Sequence, residues 1–118
     1  MNTTQLTELA VAALEDIKGR EIEVIDTSRL TPLFERIVIA SGDSNRQVRS
    51  LARHVHDKVR EAGEEVLSVE GEDGGEWVLV DLGSVVVHVM QPAVRSYYSL
   101  EELWGGKVPT RGRPSAAA

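Results

Sequence analysis

The 118-residue chain has no cysteine, and its aromatic residues are one Phe, two Trp and two Tyr. Without thiols there is no disulfide framework, no thiol chemistry and none of the usual zinc patterns. No apolar run approaches the ~20 residues that span a bilayer. The opening Met1-Asn2-Thr3-Thr4-Gln5 lacks the basic region and apolar block of a secretory signal. No Gly-x-Gly-x-x-Gly or Gly-Lys-Ser/Thr loop follows a strand, so a nucleotide cofactor has no cradle. These absences predict a single cytoplasmic domain with no membrane partner and no cofactor.

Charge is present in quantity, and its placement says more than the net value of −6. Between Glu61 and Glu76 there are seven acids (Glu61, Glu64, Glu65, Glu70, Glu72, Asp73, Glu76) and no Lys or Arg. Between Asn45 and Arg60 there are five basic residues (Arg46, Arg49, Arg53, Lys58, Arg60) and one acid, Asp57. Each block alone reads as a solvated surface; together they make a dipolar molecule able to orient on a charged partner. The acidic total suits a basic protein better than a bare phosphate backbone, whose binding depends on Lys and Arg.

Leu6, Leu9, Ala10, Ala13, Leu14 and Ile17 recur at helical spacing, which predicts an amphipathic helix from Thr4 to Lys18 ended by Gly19. Glu21 to Asp26 alternates as a strand, Leu30-Thr31-Pro32-Leu33 is a loop, and Arg36 to Ala40 reads as a buried strand. Ser44 and Gln47 form a capping box for a helix whose buried stripe is Val48, Leu51, Ala52, Val55, Val59 and Ala62, with Gly63 as its left-handed stop. Val66 to Val69 is a third strand, expected to follow this helix as a right-handed parallel crossover. Gly83-Ser84 between two apolar runs predicts a type II′ hairpin. Its register sets Val78 opposite Val89, Val80 opposite Val87 and Leu82 opposite Val85 on one aliphatic face. The other face pairs Trp77 with Met90, Leu79 with His88 and Asp81 with Val86. Leu100 to Trp104 forms a short closing helix in which Leu100, Leu103 and Trp104 fold back on the domain. The fold class is therefore α/β: one domain over 1–104 with a mixed sheet of about five strands and flanking helices, and a disordered tail over 105–118.

Chemistry finds little footing. Ser41-Gly42-Asp43-Ser44 is a passable phosphate-binding turn at a helix N-terminus. The strand after it, however, carries no carboxylate pair to hold catalytic metals, and Asp81 stands alone. The turn reads instead as a cap and tight connection. His54 and His56 lie about 200° apart around a helix, so they cannot grip one metal together. His88 lies diagonal to Asp81 across the hairpin, but no nucleophile is set beside it, and a histidine hydrogen-bonded to that carboxylate is the simpler expectation. Four of the five aromatics (Trp77, Tyr97, Tyr98, Trp104) fall after residue 76. Trp77 follows the acid block on the hairpin face partnered by Met90, and an apolar anchor with a carboxylate rim fits a basic protein surface.

Asp16-Ile17, Val38 to Val48, Glu70-Gly71, Trp77 to Gly83, Val86 to Met90, Arg95 to Tyr98 and Leu100 to Trp104 are motifs linked in one order. Together they resemble the ribosomal silencing factor family, also called Iojap-related. The resemblance covers roughly residues 5 to 104 and implies a nucleotidyltransferase-like topology without an enzymatic activity. It implies a translation repressor that binds the large ribosomal subunit through that subunit's protein fourteen and blocks joining of the small subunit when nutrients are scarce. It also implies a homodimer when free. Carried onto this chain, the partner surface centres on Glu70, Trp77, Asp81, His88, Met90 and Tyr98. Ser84 and Met90 depart from the family pattern, where an acid or an aromatic is common. Contact with ribosomal RNA is expected to be minor at most, and the sequence does not assign it to the basic helix face. A large-subunit assembly factor is the nearest alternative, and a nucleotidyltransferase-like enzyme a more distant one.

Overall fold

The computed structural model describes residues 1–105. In chain order the elements are α1 (Thr3–Asp16), β1 (Arg20–Asp26), β2 (Arg36–Ser41), α2 (Asn45–Glu61), β3 (Ser68–Glu70), β4 (Trp77–Asp81), β5 (Val85–Met90), α3 (Pro92–Tyr98) and α4 (Leu100–Gly105). The strands form one mixed sheet in the order β1-β2-β5-β4-β3. Apart from Gly105, which ends α4, the expected tail lies outside the described residues.

The two long helices are set by their caps. Asn2 Oδ1 accepts from the Gln5 amide at 2.8 Å, and Gln5 Oε1 accepts from the Asn2 amide at 3.0 Å, a complete capping box on α1. The box expected on α2 forms only by half. Ser44 Oγ takes the Gln47 amide at 3.1 Å, while Gln47 Oε1 turns to the amide of Asp43 at 2.8 Å. α1 ends at Asp16, two residues short of the expected Lys18, and Lys18 (φ 65°) is left-handed in the turn before Gly19. Gly19 serves a different need: a Cβ there would stand 3.0 Å from the Leu14 carbonyl oxygen. Gly63 ends α2 with φ +84°, as expected, but Ala62 lies past the buried stripe and is exposed.

Both helices lie on one face of the sheet. Leu6, Ala10, Ala13 and Leu14 of α1 and Val48, Leu51, Ala52, Val55 and Val59 of α2 pack on the inward side chains of β2, β4 and β5. The hairpin keeps its expected register, Val78↔Val89 and Val80↔Val87, with Gly83 at φ +93° and the Leu82 amide on the Val85 carbonyl at 2.9 Å. The crossover differs from expectation. β2 pairs in parallel with β5, from Arg36↔Val85 to Ser41↔Met90, and β3 sits at the far edge, antiparallel to β4. Strand character explains the exchange. Every residue of β5 is buried, so it belongs beside buried β2 in the centre. β3 is three residues long and carries Ser68 and Glu70, which suit a blunted edge.

The other face is covered only at one end. Pro92 opens α3, a helix absent from the sequence expectation, at the position where its missing N–H costs nothing. Ser99 (φ 50°) then turns the chain into α4. Leu100 is buried against Ile37, Ile39 and Met90, and Trp104 meets Phe34 edge-to-face with centroids 5.3 Å apart. Leu103, expected to fold back with them, is 68% exposed. Arg95 of α3 locks this cap, although arginine is rarely buried. At 6% exposure its guanidinium meets Glu101 at 2.7 Å, Ser41 Oγ at 2.9 Å and Glu23 at 3.9 Å.

Candidate functional site

The part of the sheet that α3 and α4 leave uncovered is a groove of about 540 Å³. Strand register builds its floor. Glu70 of β3 pairs with Leu79 of β4, Leu79 with His88 of β5, and His88 with Ile39 of β2. The neighbouring row brings Asp81, Val86 and Ile37 to the same face. Phe34 and Trp104 close one side, and Leu33 (78% exposed) and Leu67 (56% exposed) stand at the rim. Large aliphatic side chains at that exposure, around an apolar floor, mark a surface suited to another protein.

Trp77 forms the ridge between this groove and a second recess of about 300 Å³ lined by Glu76, Ala93, Val94, Tyr97 and Tyr98. Its ring lies 4.9 Å from that of Tyr98 and 5.9 Å from that of His88. The indole Nε1–H donates to His88 Nδ1 at 2.9 Å. Accepting there requires a neutral ring with its proton on Nε2. Burial enforces that state by pushing the His88 pKa down to about 4. The expected bond from His88 to Asp81 is therefore replaced. Asp81 Oδ1 instead accepts the Gly83 amide at 2.9 Å and pins the hairpin turn.

Of the six residues expected at the partner surface, Glu70, Asp81 and His88 share the groove, while Trp77 and Tyr98 stack beside it. Met90 does not reach the surface. It is fully buried, directly opposite Trp77 on β5 and in the cluster beneath Leu100, so it supports the ridge from below. The carboxylate rim is thinner than the seven-acid block suggested. Glu70 lines the groove and Glu76 the second recess, but Glu64 pairs with the N-terminal amine at 3.3 Å and Glu61 with Lys58 at 3.6 Å. Leu33, Phe34, Leu67, Leu79 and Trp104 also line the groove and were not picked out as binding residues. Leu79 was legible from the hairpin register alone; Leu33 and Phe34 come from a loop whose placement the sequence does not encode locally.

The Ser41–Ser44 turn is occupied from within. Ser41 Oγ takes the Arg95 guanidinium, the Gly42 amide goes to the Met90 carbonyl at 3.1 Å, and the Asp43 amide goes to Gln47. The Gly42 and Asp43 amides are thus committed to the fold, in line with the cap-and-connection expectation. His54 and His56 turn to different carboxylates, Asp16 at 3.1 Å and Asp57 at 3.0 Å.

Comparison with known proteins agrees with this architecture. The profile of the family described as "Ribosomal silencing factor during starvation" matches residues 1–117. The chain is 56% identical over 110 residues to "Ribosomal silencing factor RsfS" of Chromobacterium violaceum, covering 93% of this chain and 90% of that one. A crystal structure of a Chromobacterium violaceum protein, 54% identical, superposes with a TM-score of 0.89 over 99% of this chain and 98% of the other. A more distant relative is the mouse "Mitochondrial assembly of ribosomal large subunit protein 1", 32% identical over 102 residues. That match covers 82% of this chain and 44% of the mouse protein.

Proposed function

The chain belongs to the ribosomal silencing factor family, and from that premise we propose that it represses translation by keeping the ribosomal subunits apart. It binds the large subunit through that subunit's protein fourteen, and the small subunit can then no longer join. The observation that carries this reading is the groove: a floor of aliphatic Leu79 and Val86 with the neutral His88 ring, two carboxylates (Glu70 and Asp81) and the Trp77–Tyr98 ridge beside it. Aromatic anchors next to apolar pockets are the features that dominate protein–protein affinity. The carboxylates favour a basic partner and speed its encounter. No bond is made or broken, so the protein is not an enzyme. Repression follows mass action: the fraction of large subunits withdrawn from joining equals the fraction occupied, which rises with silencer concentration and saturates well above Kd.

Exposed Leu33 and Leu67 at the groove rim also favour a homodimer when the protein is free, which would cover this apolar surface in the cytoplasm. The test is co-sedimentation with large subunits. Trp77→Ala and Glu70→Lys each weaken binding while the far-ultraviolet circular dichroism stays unchanged; undiminished co-sedimentation of both variants would refute the surface. A second reading draws on the name of the mouse relative: binding at the same place during assembly of the large subunit. A time-resolved joining assay with mature subunits separates the two, since an assembly factor leaves the joining of finished subunits untouched.

A further inference from the structure

The side of α2 turned away from the sheet carries Arg46, Arg49, Arg53 and Arg60, all exposed, while Val48, Leu51, Val55 and Val59 face the core. At about 100° per residue the four arginines fall within about 60° of one another around the axis, and the first and last are about 21 Å apart along it. They form a line of cations, broken between Arg53 and Arg60 by exposed Asp57, whose carboxylate meets His56 Nδ1 at 3.0 Å, on a protein whose net charge is −6. The side chains of Arg46 and Arg60 have no internal partner among the described residues. The middle two lean on a single acid. Arg49 donates to the Glu72 carbonyl oxygen at 3.4 Å, and Arg53 lies 3.9 Å from the Glu72 carboxylate. Glu72 sits in a loop bounded by left-handed Gly71 (φ +92°) and Gly75 (φ +72°). The ion pair is long and its side chains are 66% and 42% exposed, so water or another anion readily replaces it.

We propose that this arginine stripe docks on the phosphate backbone of RNA, with Glu72 as a resident competitor whose carboxylate stands where a phosphate oxygen would. Charge complementarity identifies the occupant. Guanidinium groups bind phosphate in a planar, bidentate fork, and a straight row of them follows a repeating anion better than scattered protein carboxylates. A duplex RNA offers such rows across its shallow groove. The choice of RNA rests on the ribosomal premise of the preceding section. Because α2 and the groove lie on opposite faces of the sheet, one molecule can hold a ribosomal protein with one side and RNA with the other.

The test is fluorescence anisotropy of a labelled RNA duplex of about 16 base pairs, titrated with the full chain over a range of salt concentrations. Lys107, Arg111 and Arg113 are kept in every variant. Saturable binding is expected, with a log–log salt slope of about −0.9 for each phosphate contacted. Arg46→Ala/Arg60→Ala reduces the magnitude of that slope by about two and weakens binding about ten-fold. Glu72→Gln strengthens binding several-fold, and the groove variant Leu79→Ala leaves it unchanged. Absence of salt-dependent binding, or wild-type affinity in the double arginine variant, overturns the proposal. So does loss of large-subunit binding by that variant with RNA affinity intact, which would assign the stripe to an acidic protein surface. No ribosomal protein is present in the duplex assay, so a negative result there leaves the groove reading standing. Failure of the groove reading shows separately, as undiminished co-sedimentation of Trp77→Ala.

Discussion

The two faces of the hairpin β4–β5 are built from alternate residues of the same eleven, yet they meet different fates. Val78, Val80, Val87 and Val89 point to α1 and α2 and have no solvent exposure. On the reverse, Leu79, Trp77 and Asp81 are half-buried, and the groove above them is covered only at one end by α3 and α4. The chain has thus satisfied one face with its own helices and left much of the other to be completed. Small branched side chains suffice where the partner is internal and always present. The open face mixes aliphatic Leu79 and Val86 with Trp77, Asp81 and His88, whose aromatic and polar groups can gain contact from a second molecule.

Substitutions should divide along that line. Leu51→Ala, within the closed core, is expected to lower unfolding free energy by about 2–5 kcal/mol, read by urea denaturation. Leu79→Ala, on the half-open floor, should cost less than about half as much and weaken large-subunit binding instead. Equal destabilisation by both would mean that the two faces do not differ in kind.

Burial pushes the His88 pKa down to about 4, so the unfolded chain takes up this proton first as pH falls below about 6.5. Stability from the neutral ring is fully present above pH 6.5 and is lost as pH falls toward 4, by roughly 3 kcal/mol in all. His88→Gln should show a shallower loss over the same window, and Trp77 fluorescence should change with the wild-type transition as its bond to Nδ1 breaks. Parallel pH profiles for the two proteins would contradict this.

Arg95→Met probes the covered end of the open face. Loss of its charge-assisted bonds to Glu101 and Ser41 should cost about 2–3 kcal/mol. The loss should appear as faster amide exchange confined to α3, α4 and the end of β5, with α1 and α2 unchanged.

Much of this is legible in the sequence alone. The Gly83-Ser84 turn sets the hairpin register, and with it which of Trp77, Leu79, Asp81 and His88 share a face. What escaped was decided by tertiary competition. The position of β3 depends on which strand best fills the centre, and β5, being buried throughout, displaces it to the edge. The helix α3 spans seven residues, too few to show a helical period. Met90 looked like a surface residue from its alternation, but alternation gives a face and not what covers it. Arg95 stands in one of the family's motifs, yet nothing in its local sequence indicates burial at three polar contacts.

The most direct test of the central claim is the rate of joining of purified mature small and large subunits, followed by light scattering as this protein is titrated in. The account predicts that joining falls in a saturable, concentration-dependent way with wild-type protein, and that Trp77→Ala requires a much higher concentration for the same effect. Joining that proceeds unhindered at saturating protein, or is blocked equally by Trp77→Ala, would contradict it.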